Sequence, residues 1–506
     1  MKAWAGSLYN NSHWSRILKN IEMIGRPGIS WPLRGVRFSA QAIPKGAAFS
    51  VAGKMAFVPE DEILGFLAIF NSKLFDYFIR LFAGKVGGVQ YQNGLIADIP
   101  VPPVPSNTLL SLGALALQAW SLRRTQASSD ERSHSFVLPV RLVNDNRHDA
   151  LDEQVAVVQR GVDDLVFELY GFDSQAQLKM DASEIPQSGT ESDLSVDDDG
   201  DGDGDAEIDV SDDLSPLLSW SVGVAFGRFD WRLATGDREI PPEPGPFDAL
   251  PAKSPGMLPD GAAPFHAHAG ILVDDGGHPH NLVRLVEEVL ARVDAPVPSD
   301  LGRWLQKDFF PFHLQRYSKS RRKAPIYWPL STLSGSYTLW VYYPSLNRQT
   351  LYTAINDFVE PKLKRVGDDV AALRNKGSAR TRDDERQFEA LQSLKTELLE
   401  LRDKLLEIAP GYKPNHDDGV QITAAPLWPL FRHKPWQRAL KDTWAKLESG
   451  DYDWAHLAMA YWPDRVREKC KTDKSLAIAH GLEDLYVEPK AAPRKTRGRK
   501  KAADVE

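Results

Sequence analysis

The chain of 506 residues reads as an α+β protein of several domains, mainly helical. Three observations predict this. Strand-like runs are short, such as the alternating Val36 to Ile43 and the run TLWVYY from Thr338 to Tyr343. Apolar residues at three- and four-residue spacing fill much longer stretches. The longest steps through Phe388, Leu391, Leu394, Leu398, Leu401, Leu405 and Ile408, a seam that predicts half of a helical hairpin with Leu351 to Leu373. A chain this long has room for roughly two to four cores. Its single cysteine, Cys470, excludes an internal disulfide and fits a reducing compartment; a buried packing role is expected of it. No run of ~18 apolar residues occurs, so neither export nor a membrane anchor is expected, and a cytoplasmic location is. The net charge of −8 is concentrated between Asp181 and Asp213, which leaves room for basic surfaces elsewhere.

Met1 to Ser30, with Trp4, Tyr9, His13 and Trp14, reads as the tail of something larger. From Val36 to Ile43, the apolar Val36, Phe38, Ala40 and Ala42 alternate with Arg37, Ser39 and Gln41, the pattern of a half-buried strand that packs one face and offers donors on the other. A second strand-like run covers Ala47 to Val58. Glu60, Asp61 and Glu62 then favour a helix start. Ile63, Leu64, Leu67, Phe70, Leu74, Tyr77, Phe78 and Leu81 fall at helical spacing, with Asn71 and Ser72 able to cap a second half. Gly84, Gly87 and Gly88 lead into Gln90, Tyr91, Gln92 and Asn93, an amide-rich loop on an apolar scaffold. Such a loop suits base-edge recognition, because Gln and Asn bond both N6 and N7 of adenine and Tyr stacks on a base; the same composition also fits an ordinary solvated loop.

Helices are expected over Ser106 to Arg123, Ala150 to Tyr170 (closed by Gly171), Leu217 to Ala234, Leu282 to Val293 and Leu301 to Tyr317. Asp181 to Asp213 reads as a disordered acidic linker. One calcium-loop alignment places Asp199, Asp201, Asp203 and Gly204 correctly but puts Val210 where a bidentate carboxylate is required. His266, His268, Asp274, Asp275, His278 and His280 crowd together, but Gly276, Gly277 and Pro279 break the strand that metal binding would need, so no metal site is expected. Arg316, Lys319, Arg321, Arg322 and Lys323, beside Tyr327 and Trp328, fit either a phosphate-contacting surface or a solvated helix end. Arg497, Arg499 and Lys500 belong to a basic tail suited to non-specific phosphate contact.

Three runs carry a resemblance. IFNSKLFDYFIRLF (Ile69 to Phe82), GGVQYQNG (Gly87 to Gly94) and LIADIPVPP (Leu95 to Pro103) resemble the target-recognition region of large adenine-specific DNA methyltransferases. The PglX-type enzymes of BREX phage-exclusion systems are the most similar family, with the DISARM methylase as a near alternative. RRKAPIYWPLSTLSGSYTLWVYYPSLNRQTLYTAINDFVEP (Arg321 to Pro361) resembles the PglX family more closely than any other part, and DDLVFELYGF (Asp163 to Phe172), GVAFGRFD (Gly223 to Asp230) and Asp451 to Tyr486 add to it. The resemblance implies double-stranded DNA as partner and S-adenosylmethionine as cofactor of the complete enzyme. The Asn/Asp-Pro-Pro-Tyr/Phe motif of such enzymes is absent: Pro102-Pro103 follows Val101, and Pro241-Pro242 follows Ile240. No glycine-rich cofactor turn follows a strand either. No catalytic residue and no bound cofactor are therefore expected in this chain. The expectation is the recognition and C-terminal portion, from an interrupted gene or a split enzyme that works with a separate catalytic half. The alternative is a non-enzymatic module that docks other defence proteins through its aromatic C-terminal region.

The expected division is 1–105 (target recognition), 106–180 (helical), 181–213 (linker), 214–345 (mixed α/β), 346–410 (helical hairpin), 411–489 (aromatic-rich) and 490–506 (basic tail).

Overall fold

A computed structural model describes residues 20–35, 37–49, 53–83, 89–143, 151–172, 214–319 and 322–488. The fold is α+β and mainly helical, with sheets of at most three strands. The chain forms two compact units: Asn20–His268 with Leu282–Leu305, and Ala269–Asn281 with Gln306 onward. Among the described residues, no helix is long and apolar enough to cross a membrane.

In the first unit, strands β1 (Gly28–Trp31), β2 (Arg34–Gly35), β3 (Gln41–Ile43), β4 (Lys54–Ala56) and β5 (Val89–Gln90) are all short. β1 is central in an antiparallel sheet β3-β1-β4, with Ile29 opposite both Ala42 and Ala56, and β2 pairs with β5. The strand expected from Val36 to Ile43 is only partly a strand, because β3 alone joins the ladder. Phe38 and Ala40 still turn inward, while Arg37, Ser39 and Gln41 are exposed. Their backbone is held by side chains instead: Phe38 N–H donates to Asp76 Oδ1 (2.9 Å), Ala40 N–H donates to Asn71 Oδ1 (2.9 Å), and Asn71 Nδ2 donates back to Ala40 O (3.0 Å). Of the run from Ala47 to Val58, Lys54–Ala56 forms β4, and Ser50, Val51 and Ala52 lie outside the described residues.

Helix Ile63–Phe70 stops at Asn71, and helix Lys73–Ala83 begins after Ser72, whose hydroxyl accepts from Phe75 N–H at 3.2 Å. Helices Ser106–Ala127 and Leu151–Leu169 pack on this pair and share its core. Ile29, Trp31, Phe38, Leu67, Phe75, Leu112 and Val166 form one cluster, so the boundary expected at 105/106 runs through a single core. The close crossing depends on glycine. A Cβ on Gly65 would strike the side chain of Leu109 and lie 2.9 Å from its carbonyl, and one on Gly113 would meet Leu64 Cβ at 3.3 Å.

The helix expected from Leu217 to Ala234 ends at Ala225. Arg228 N–H bonds Gly223 O (2.8 Å) and Gly227 N–H bonds Val224 O (2.9 Å), with Gly227 at φ 68°. That is a Schellman closure, which needs a left-handed residue at the position Gly227 supplies. Trp220, Val222 and Val224 are fully buried, and helix Leu282–Arg292 packs on this helix.

The second unit is built on the antiparallel sheet β6-β10-β9, where β6 is Ile271–Asp274, β9 Tyr327–Ser331 and β10 Thr338–Tyr342. β10 is bonded on both edges, Leu339 standing opposite Val273 and Leu330. Trp328, Leu330, Leu339 and Val341 are buried. The helix expected from Leu301 to Tyr317 breaks at Asp308 into Leu301–Lys307 and Phe309–Arg316, and the Phe309 ring lies 5.3 Å from that of Trp340. The expected hairpin forms. Its first arm runs through Thr350–Thr353, a π-helical turn Ala354–Val359 and Glu360–Asn375, and its second is Arg382–Ile408, opened by a capping box at Thr381. Leu398, Leu401 and Leu405 bury the base of the seam, while Phe388, Leu391 and Leu394 are half-buried.

Candidate nucleic-acid interface

The expected reading loop is the end of β5 at Gln90, an extended Gln92 that precedes a helix, and the first residue of that short helix, Asn93–Ala97. Gln90 is exposed, Tyr91 is buried, and Gln92 and Asn93 are exposed. Tyr91 therefore does not stack on a base, and that expectation is corrected. Its ring packs edge-on to Phe38 at 5.2 Å, its hydroxyl donates to Gly35 O (3.0 Å), and burial pushes its pKa up to about 12. Its backbone is pinned as well. Tyr91 N–H donates to Leu33 O (3.0 Å), while Trp31 Nε1 (3.1 Å) and Lys54 Nζ (3.2 Å) both donate to Tyr91 O. The residue expected to touch DNA is the anchor that holds the two glutamines outward.

The glutamines are not isolated. Arg34 stands opposite Gln90 in the β2–β5 pair, with its Nε 3.0 Å and Nη2 2.5 Å from one end of the Gln90 amide. The other end of that amide lies 3.0 Å from the Gln92 side chain, whose far end is 2.7 Å from Lys54 Nζ. Neither Arg34 nor Lys54 was singled out in the sequence. Lys54 had a signal there, as the lone cation in the apolar run from Val51 to Val58. It is 8% exposed, and desolvation lowers its pKa.

The other expected contacts are distributed unevenly. Arg37, Ser39 and Gln41 are exposed on the segment that approaches β1, where Gln41 pairs with Ser30. Arg322 and Lys323 lie on the two-stranded hairpin of β7 (Ser318–Lys319) with β8 (Arg322–Lys323), in the second unit. Tyr327 and Trp328 do not join them, being 1% and 0% exposed within β9. Arg321, Arg497, Arg499 and Lys500 lie outside the described residues, as do the acidic linker and Gly84 to Gly88.

Several other features turn out to be structural. The His278 ring stacks on Phe358 at 5.2 Å, and the His278 backbone N–H donates to Asp275 O (3.1 Å) in a loop closed by Gly277 at φ 81°. Among the described residues, no group of three or more His, Cys, Asp or Glu side chains is placed to hold a metal ion. Cys470 is buried and its thiol pKa is raised by that burial. Trp436 and Tyr412 of the aromatic C-terminal region are core residues, whereas Trp454 is 47% exposed. Compared with known protein families and with curated proteins, the chain matches no family and no curated protein.

Proposed function

We propose that this chain is the DNA-recognition and C-terminal portion of an S-adenosylmethionine-dependent, adenine-specific DNA methyltransferase of a phage-defence system, and that it reads duplex sequence through Gln90 and Gln92. The observation that carries the reading is the anchored Tyr91, which fixes two outward amides beside the Arg34 guanidinium. Side-chain amides match the adenine edge and a guanidinium matches guanine or phosphate. Preorganisation matters because a contact made by a mobile side chain loses about 0.5 to 1.5 kcal/mol to ordering, and these side chains are already ordered by each other. Arg37, Ser39 and Gln41 form a second exposed polar row in the same unit, and Arg322 and Lys323 supply phosphate contacts. The cofactor and the flipped base belong to a separate catalytic portion, since the sequence carries no Asn/Asp-Pro-Pro-Tyr/Phe motif.

The test is a selection on randomised duplexes with the wild-type chain and Gln90→Ala and Gln92→Ala. Loss of about 1 to 3 kcal/mol at particular base pairs is expected, with other positions unchanged. Binding with an unaltered preference would move the reading surface to Arg37, Ser39 and Gln41. Methyl transfer to DNA by the isolated chain would overturn the assignment of catalysis to a separate portion.

A further inference from the structure

Two histidines of the second unit stand apart from the loop at His278. His456 opens the helix His456–Tyr461, and His480 follows the helix Lys474–Ala479 as its C-cap. Their ring centres are 5.7 Å apart, at an interplanar angle of 70°. An oxygen fixes the tautomer of each. His456 Nδ1 meets Asp418 Oδ1 at 3.0 Å, and the two oxygens of that buried carboxylate also accept the backbone N–H groups of His456 (2.7 Å) and Leu457 (3.0 Å). His480 Nε2 meets the backbone carbonyl oxygen of Asp453 at 2.8 Å. Acceptors of this kind bring no proton, so the neutral rings carry theirs on His456 Nδ1 and on His480 Nε2. The lone pairs are left on His456 Nε2 and His480 Nδ1. Among the described residues, neither of these two nitrogens has a protein partner.

We propose that His456 Nε2 and His480 Nδ1 together bind one divalent first-row transition-metal ion of the zinc or copper(II) class, with water in its remaining positions. The spacing suits this. An ion about 2.0 to 2.1 Å from an imidazole nitrogen lies about 3 Å from the ring centre, so two rings that share it stand about 5 to 6 Å apart. The partners suit it as well. Imidazoles that hold a metal donate their other N–H to a carboxylate or a backbone carbonyl, which orients the ring and raises its basicity; Asp418 supplies the one and Asp453 the other. Two nitrogen ligands select zinc or copper over magnesium and calcium, which prefer oxygen. Packing alone does not call for the arrangement, since the His456 side chain is 40% exposed, whereas the packing histidine His313 is 0% exposed. The pair His278 and His280 does not repeat it, because His278 Nδ1 already accepts from His280 N–H at 3.1 Å. An ion held at His456 and His480 cross-links two helix ends.

The test adds zinc chloride, and in parallel copper(II) chloride, to the whole chain labelled with nitrogen-15 in histidine. Before metal is added, NMR should show the Nδ1–H tautomer at His456 and the Nε2–H tautomer at His480; saturating zinc should then shift His456 Nε2 and His480 Nδ1 while the other two nitrogens keep their protons. His456→Gln and His480→Gln identify the signals. Each should weaken zinc binding, measured by calorimetry, by about tenfold or more, and His278→Gln should leave it unchanged. Melting in the presence of chelator shows which variants fold, and if His456→Gln does not, His480→Gln carries the comparison. Copper(II) supplies the second readout, an electron paramagnetic resonance spectrum with two coupled imidazole nitrogens in the wild type and one in either variant. Rings that keep their shifts with zinc in large excess over the chain, or a copper(II) spectrum that neither substitution alters, overturn the proposal. None of these readouts involves DNA, so their failure leaves the DNA reading intact.

Discussion

Phe38 to Ala40 in the first unit alternate buried and exposed, whereas Thr338 to Val341 of β10 in the second are buried on both faces, and the two segments are held by different chemistry. β10 is bonded along both edges by the backbones of β6 and β9. Phe38 and Ala40 are bonded by Asp76 and Asn71, side chains at the junction of two helices. A backbone ladder is indifferent to sequence, because every residue brings the same donor and acceptor. A strand held by side chains depends on two residues, and in exchange it is covered by a helix on the edge where a neighbouring strand would otherwise lie. The exposed Arg37 and Ser39 sit on that segment, which makes it suited to presenting side chains, whereas β10 is suited to being a core.

The largest expected effect lies in the backbone-held sheet and concerns packing. Trp328 is fully buried, with its ring 5.4 Å from Tyr343 and 6.3 Å from Phe431. Trp328→Ala should cost about 3 to 5 kcal/mol in denaturant unfolding of that unit while leaving amide protection in β10 in its present register, since the ladder does not need the ring. Loss of protection at β10 with little loss of stability would reverse the comparison.

A smaller effect, of a different kind, is expected in the side-chain-held segment. Asn71→Ala removes both partners of Ala40 and should cost about 1 to 3 kcal/mol for each group left unpaired, with hydrogen exchange accelerated at Phe38 to Ala40 before the rest of the unit. Its counterpart in the other unit is Thr338→Val, which deletes the 2.9 Å bond to Ser331 Oγ but keeps the ladder, and about 1 kcal/mol is expected. Equal exchange behaviour in the two variants would show that the manner of bonding makes no difference.

The smallest effect is one of pH. Asp163 is buried beside the helix junction and accepts from Lys73 N–H (2.8 Å) and Gln159 Nε2 (3.0 Å), but burial outweighs these bonds and raises its pKa above the ordinary 3.8. A carboxyl whose folded pKa is raised contributes stability that is fully present below 3.8 and is lost as pH rises through the folded value. Asp163→Asn keeps an oxygen for both donors and cannot ionise. The melting temperature of the variant should therefore gain on that of the wild type as pH rises from below 3.8 toward neutrality. A difference independent of pH would show that Asp163 is not strained by its burial. Asp275 sharpens the contrast, since Lys362 and Arg365 compensate its charge in the second unit.

The periodic elements could be read before any contact was known. The hairpin seam and the helix pair broken at Asn71 and Ser72 were legible because each repeats its spacing over several residues and burial follows spacing, the closure at Gly171 because glycine takes the left-handed conformation that ends a helix, and the strand Thr338–Tyr342 because its run is rich in aromatic and β-branched residues. The sequence marked Gln90 to Asn93 as an amide-rich loop without separating Tyr91 from its neighbours. Folding is what makes Tyr91, between Gln90 and Gln92, an anchor, carries the first core past residue 105, and lets two helices cross at Gly65 and Gly113. It alone brought Lys54 and Arg34 to the two ends of the amide pair. The difference is one of range. Periodicity reports which face of an element is buried, whereas a hydrogen bond between residues 37 or 38 apart, as from Lys54 to Tyr91 and Gln92, leaves no local pattern at either end.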